Sequence, residues 1–278
     1  MKSRFEEYSD GRALYGDDFS QDEIEAWFHD EQEGYYKLAD ERKPGRYEYH
    51  ALNWRHGFRH LPPAPFKHVL GIGSAYGDEL QPVLDRAERV TIFEPSDGFL
   101  NPNFEYVKPV SSGFMPFSDD AFDLVTCFGV LHHIPNVTCV VSEIARCLRP
   151  GGYLLLREPV VSMGDWRIPR PGLTRHERGI PANILRNIVV TAGLEIVRER
   201  LCAFSLTAKL RRFLPKGNFV YNSAAIVAVD GWISSLPFWS RRYDAKNILQ
   251  KLRPVSVFIV ARKVNRLGLH ETAARGVY

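Results

Sequence analysis

Cysteine is scarce in this chain, four in 278 residues. Cys127, Cys139, Cys147 and Cys202 form no C-x-x-C pair, so neither a zinc knuckle nor a dithiol redox motif is signalled. Cys127 and Cys147 fall in apolar segments, and reduced structural thiols of a cytoplasmic protein are expected. The opening MKSRFEEYSDGR has no apolar core of the kind a secretory signal needs. Long hydrophobic runs are missing too. The most apolar later stretch, FVYNSAAIVAVDGWISSLPFW, is broken by Asn222, Asp230 and Pro237, so a spanning helix is not expected. A peripheral membrane contact is left open. Charge is nearly balanced, at +3, too mild to argue for nucleic acid. No N-P-P-Y-type motif is present either, and nucleic acid is not an expected partner. There is no internal repeat and no low-complexity tract.

The hydrophobic content of 45% and charged content of 25% are those of a soluble globular protein. Residues 1–62 are charged and aromatic and end in the stiff HLPPAP. They are expected to form a helical cap. Ser20 and Glu23 have the spacing of a capping box, and Ile24, Trp27 and Phe28 follow at helical spacing. From residue 67, strands and helices alternate. FKHVLGI, RVTIFEP, NFEYVKPV, AFDLVTCFGV and GYLLLREP read as strands. AYGDELQPVLDRA, VTCVVSEIARCL and ANILRNIVVTAG read as helices. LEIVRERL and VSVFIVARK are further β-type runs. Such alternation predicts an α/β fold with a mostly parallel sheet covered on both faces. The expected core spans 63–264, with a basic and aromatic lid insertion at about 204–252. A weakly structured tail is expected over 265–278.

The glycines of HVLGIGSAYGDEL stand where the first strand ends. Gly71, Gly73 and Gly77 suit a tight turn, or a ligand lying against bare backbone. Glu94, at the tip of the second strand, lies 21 residues after Gly73. An acid there can accept hydrogen bonds from both hydroxyls of a ribose. A nicotinamide-dependent oxidoreductase would use the same pair, but no Y-x-x-x-K pair is present to move its proton. Tyr243 and Lys246 are one position short.

Two further stretches narrow the reading. They are MPFSDDAFDLVTCFGVLHHIPN, residues 115–136, and LRPGGYLLLREP, residues 148–159. With the glycine turn, these resemble the class I S-adenosylmethionine-dependent methyltransferases, of the subfamily related to ubiquinone-type and small-molecule enzymes. The resemblance covers about residues 63–203 and a last strand at 254–263. It implies a Rossmann-like three-layer sandwich with a seven-stranded, mostly parallel sheet and an antiparallel last strand. It also implies S-adenosyl-L-methionine as cofactor. By this resemblance Gly71, Gly73, Ser74, Tyr76 and Gly77 would line its methionine and ribose end, and Glu94 would hold the ribose. Pro95 and Ser96 would lie beneath the adenine, with Gly113, Phe114 and Met115 at its edge. Phe128, Gly129 and His133 would pass near the methionine. Three departures stand out. The family usually has an acid at Gly71, a glycine at Ala75 and often an aspartate at Ser111 or Ser112. Asp78, or an acid of the N-terminal segment, is the expected substitute for the first. A non-catalytic, cofactor-binding scaffold is the alternative these departures keep alive.

Methyl transfer from a sulfonium needs mainly positioning and exclusion of water. A hydroxyl acceptor also needs a base. His132 and His133, just past the fourth strand, are the first candidates, with Glu158 and His176 as rivals and Asp165 behind them. The loop after the fifth strand should roof the acceptor pocket, and its Arg167, Arg170, Arg175 and Arg178 could clamp an anionic group. Tyr49 and Trp54 could stack on a sugar or aromatic ring. Arg170, Arg175, Tyr49 and Trp54 are the expected substrate contacts. No ligands fall at i, i+4 spacing with a clear third, so no metal site is expected. The expected activity is O-methylation of a small-molecule or glycan acceptor, by a monomer or homodimer.

Overall fold

The computed structural model describes residues 3–39, 45–213 and 219–264. The expected tail, 265–278, and part of the basic stretch, 214–218, lie outside the described residues. Three helices lead the chain: α1 (Arg4–Ser9), α2 (Gln21–Ala39) and α3 (His50–His56). The capping box read at the start of α2 is formed. Ser20 N–H donates to Glu23 Oε2 at 2.8 Å, and Glu23 N–H donates to Ser20 Oγ at 3.4 Å. Ile24, Trp27 and Glu31 are buried on one face of α2, the i, i+3, i+7 stripe of an amphipathic helix. A carboxylate therefore sits in the apolar stripe that α2 turns inward.

The core follows as β1 (Phe66–Ile72), β2 (Ala87–Phe93), β3 (Glu105–Val107) and β4 (Phe122–Phe128). Then come α4 (Val137–Cys147), β5 (Leu148–Pro159), α5 (Ala182–Thr191), β6 (Leu194–Phe204), α6 (Ala224–Ser234), α7 (Ile248–Lys251) and β7 (Pro254–Lys263). The seven strands form one sheet in the order β3-β2-β1-β4-β5-β7-β6. All pairings are parallel except those of β7 with β5 and β6.

Apolar residues alternate between the two faces of the strands, as period-two geometry requires. Leu70, Val125, Leu154 and Ile259 join one core with Val140 and Ile144 of α4 and Leu185 of α5. Val69, Leu124, Leu155 and Phe258 join a second core with Leu52 of α3 and Val227 of α6. Both faces are thus covered, which is why β1 and β4 read as continuous apolar runs rather than alternating ones.

One predicted helix differs. AYGDELQPVLDRA forms 3-10 turns over Asp78–Arg86 instead of an α-helix. Pro82 stands inside the segment; it has no N–H to donate and its ring clashes with the preceding turn of an α-helix. Gly77 enters the segment in the left-handed region, φ +79°. Within the insertion, α6 packs on β6 and α3. Its buried Asp230 accepts from the N–H groups of Ala203 (2.9 Å) and Phe204 (2.8 Å). That bond holds the end of β6, where Ala203 has φ +57°.

Candidate active site

The strand order reverses between β1 and β4, and ligands of such sheets bind at this switch, beyond the carboxyl ends of the strands. A cleft of about 840 Å³ opens there. Gly73 turns the chain away from β1 with φ +62° and donates its N–H to Phe93 O at 2.9 Å. A Cβ at Gly73 would stand 2.6 Å from Val130 Cγ2, so only glycine fits. Ala75 adopts φ +48°, an unfavourable region for a residue with a Cβ. Its N–H donates to Glu94 Oε2 at 3.1 Å, and Ser96 N–H donates to Glu94 Oε1 at 3.2 Å. Glu94, buried at the tip of β2, thus ties the glycine turn to the loop that follows it.

Of the residues expected at the cofactor, Gly73, Ser74, Tyr76, Pro95, Gly113, Met115, Phe128, Gly129 and His133 border the cleft. Gly71, Gly77, Glu94 and Ser96 stand behind its wall, and Phe114 is turned outward, 55% exposed. Gly71 has no room for a side chain. A Cβ there would meet Ser74 Oγ at 2.3 Å. Ser74 Oγ in turn donates to Glu79 Oε1 at 2.7 Å, and Thr126 Oγ1 donates to the same oxygen at 3.2 Å. Glu79 is buried and borders the cleft. Burial pushes its carboxyl up to about 7, against the pull of the Ser74 hydroxyl and the Arg157 charge. The expected substitute acid, Asp78, accepts from Gly45 N–H at 2.8 Å. Glu79 was not singled out by sequence because its place depends on the 3-10 turns, which point its side chain inward.

His132 and His133 lie in a short 3-10 turn just after β4, with their rings 4.1 Å apart. His132 Nδ1 donates to Glu158 Oε2 at 2.8 Å, and its Nε2 lies 3.6 Å from Glu177 Oε1. Burial alone would lower the His132 imidazole, but Glu158 and Glu177 raise it to about 9. Glu158 and Glu177 thus favour the protonated form of His132. Glu158 also accepts from the N–H groups of Val130 and Leu131, both at 2.9 Å, so it holds the turn. His133 is set differently. Burial and the charge of His132 lower its imidazole below the ordinary range. Its Nδ1 donates to Glu31 Oε2 of α2 at 2.9 Å. Trp27 Nε1 donates to His133 O at 2.8 Å. Arg178, fully buried, donates to Leu131 O (3.1 Å) and Ile134 O (2.9 Å) from the roof loop and pins the turn from behind.

The remaining expected residues separate into two groups. Tyr49 borders the cleft under the guanidinium of Arg157, 4.0 Å above its ring. Trp54 is half exposed and away from the cleft. His176 stacks on Trp27 at 4.6 Å, and its Nε2 lies 2.8 Å from Asp30 Oδ2. Arg175 pairs with Asp30 at 2.9 Å. Arg170 donates to Thr174 O and Arg175 O and so folds the roof loop on itself. Arg167 pairs with Asp165 at 2.6 Å. Glu31, Arg157 and Glu177 border the cleft and were not singled out by sequence. Their positions come from long-range packing that no local spacing signals. One ligand atom each of His132, His133 and Glu177 lies within 4.8 Å of the others, a grouping with metal-ligand spacing.

A parallel sheet with a glycine turn at the switch point and an acid at the tip of β2 defines an α/β domain for a nucleotide cofactor. Residues 70–156 match the family model described as "Methyltransferase domain". These residues are thus similar to a methyltransferase domain, on the α/β sheet described above. Among curated relatives, phthiotriol/phenolphthiotriol dimycocerosates methyltransferase 1 of Mycobacterium ulcerans is 28% identical over 43% of this chain and 49% of its own length. The tRNA U34 carboxymethyltransferase of Nautilia profundicola is 30% identical over 37% of each chain. The chain thus spans half or less of the length of these relatives. In fold, it is similar to a SAM-dependent methyltransferase of Archaeoglobus fulgidus, with TM-score 0.52 and 15% identity. That likeness covers 77% of this chain and 92% of the other. No helix among the described residues is long and apolar enough to cross a membrane.

Proposed function

We propose that the chain transfers the methyl group of S-adenosylmethionine to a hydroxyl of a small-molecule or glycan acceptor. The observation that carries this reading is His133, an imidazole that favours the neutral form, held on Glu31 in the wall of the cleft that begins at the glycine turn. Two features suit such a cofactor: Gly73 and Gly129 border the cleft, and the buried carboxylate of Glu94 stands just behind its wall at the tip of β2. Gly73, Ser74 and Gly129 would receive the methionine end, Glu94 the ribose, and Pro95, Gly113 and Met115 the adenine. Glu79 would face the charge of the amino group in place of the acid absent at 71. The bound cofactor supplies an electrophilic methyl group on a sulfonium.

The protein's own work in this reading is to position the acceptor, exclude water and take up one proton. Of the four candidate bases, His132 favours its protonated form, Glu158 holds backbone N–H groups, and His176 lies outside the cleft against Asp30. That leaves His133. It draws the acceptor's proton while Glu31 stabilises the imidazolium that forms, as a carboxylate partner does for a catalytic histidine. Tyr49 and Arg157 would flank the acceptor. Residues 1–62 would act as a cap on a core spanning 63–264.

Calorimetric titration with S-adenosylmethionine, S-adenosylhomocysteine and NADH tests the cofactor. Glu94→Ala should weaken binding of both sulfur compounds by about thirtyfold, the loss of a charged hydrogen-bonding group worth roughly 2 kcal/mol. Binding of NADH alone would overturn the reading. Labelled-methyl transfer to a panel of hydroxylated small molecules, glycans and bulk tRNA tests the acceptor. His133→Ala should lower the rate by about a hundredfold or more. An unchanged rate would remove His133 from the chemistry, and labelling confined to tRNA would replace the proposed acceptor class.

A further inference from the structure

A surface remote from the cleft gathers positive charge without a counter-charge. Arg55 lies in the last turn of α3 and Arg59 follows in the next turn. Arg198 and Arg200 project from β6, the edge strand of the sheet. They share one face of that strand, opposite Val260 and Phe258 of β7. Phe258 is the residue on which His56 of α3 packs, with ring centroids 6.2 Å apart. Three of the four, Arg55, Arg59 and Arg198, act electrostatically on that buried histidine. Arg198 in turn feels Arg200, Arg59 and Arg55. Among the described residues none of the four pairs with a carboxylate. Arg59 Nε reaches only the ring of His60 at 3.3 Å, and Arg200 Nη1 reaches only Glu199 O at 3.3 Å. Arg198 Nε is buried with no hydrogen-bond partner.

Clustered like charges oppose folding unless something of opposite sign meets them. Helices α3 and α6 and strand β6 also carry exposed apolar side chains. A Cβ on Gly231 of α6 would lie 3.6 Å from Arg55 Nε, and the next residue, Trp232, is 66% exposed. Trp54, beside Arg55, and Val197, beside Arg198, are each more than half exposed. None of these residues borders the cleft.

We propose that this face, formed by α3, α6 and the edge strand β6, docks on an anionic lipid surface. Arginines attract the negative headgroups, and the flanking tryptophans suit the boundary between headgroup and acyl chain. Exposed tryptophans on both helices, Trp54 on α3 and Trp232 on α6, favour a bilayer over a purely electrostatic partner such as nucleic acid. This inference does not depend on methyl transfer, and its test does not use it.

The test is co-sedimentation of the full chain with vesicles of phosphatidylcholine alone, and with a third of the lipid replaced by phosphatidylglycerol. The double variants Arg198→Gln/Arg200→Gln and Arg55→Gln/Arg59→Gln are run beside the parent. A cooperative denaturation curve like the parent's confirms that each variant is folded. The parent should bind the anionic vesicles, release them in high salt and ignore neutral ones. Each double variant should bind about thirtyfold more weakly, from roughly 1 kcal/mol per arginine, and Trp232→Ala should weaken binding further. Equal binding to both vesicle types, or variants that bind like the parent, would overturn the proposal. Retention of bulk tRNA with no vesicle binding would overturn it too and assign the arginines to nucleic acid.

Discussion

Ala75 occupies a left-handed conformation that costs an L-residue about 1 kcal/mol or more. Glycine adopts it freely, at some cost in unfolded-chain entropy. Ala75→Gly should therefore raise stability by up to about 1 kcal/mol, read as a higher denaturant midpoint with unchanged slope. An unchanged or lower midpoint would show that the turn relaxes around alanine. His56 makes a second point at this scale. Burial, with the surrounding arginines, lowers its imidazole to about 4, against an ordinary value near 6.5. Both ring nitrogens lack hydrogen-bond partners, so the native state holds the ring neutral. The folded pKa is depressed, so the unfolded chain takes up the proton first as pH falls. Stability is complete above about pH 6.5 and declines between 6.5 and 4, by roughly 3 kcal/mol in all. Denaturation curves across that range should show the decline, and His56→Leu should flatten its slope. A parallel slope in the variant would assign the acid sensitivity to other groups.

Among the elements, α2 has the most specific task. It lies outside the matched methyltransferase residues and still delivers Glu31 to His133 and Trp27 to the carbonyl of the same residue. Glu31→Gln keeps a hydrogen-bond acceptor and removes the charge. It should lower the rate about tenfold to a hundredfold. It should also shift the acidic limb of the pH–rate profile downward, because the neutral imidazole loses the anion that favoured its protonation. A merely structural role would change the rate without moving that limb. Local signals did announce parts of these elements. Ser20 and Glu23 marked the start of α2, and Ile24 and Trp27 marked its inner face. Glu31 shares that stripe, but a carboxylate in an apolar position looks like an outward residue until its imidazole partner is seen. The turns at Asp78–Arg86 were misread because DELQPVLDR carries helical apolar spacing, and Pro82 outweighed it.

For the molecule as a whole, ligand binding should be visible as stability. S-adenosylhomocysteine at a hundred times its dissociation constant should add about 2.7 kcal/mol to unfolding, by mass action alone. The same addition to Glu94→Ala should give far less. If both proteins gain equally, Glu94 is not part of the cofactor site. Sequence pattern conveyed the sheet well, since β1, β4 and β5 are buried on both faces and read as apolar runs bounded by glycine or proline. The glycine turn and Glu94 were legible because their chemistry lies in short, ordered spacing. Glu79, Arg157 and Glu177 were not, because each faces the cleft through a pairing that only the folded chain brings about.

The two halves of the site come from different kinds of sequence. Most positions proposed to face the cofactor lie in one stretch of chain between Gly73 and Asn136. The group around His133 is assembled from three separated pieces: α2, the turn after β4 and the roof loop. An ancestral gene could exchange the first or the third piece and leave the cofactor half untouched. Inherited variation in acceptor choice would then be free to run faster than variation in the cofactor, with Glu31 marking the join between the two histories.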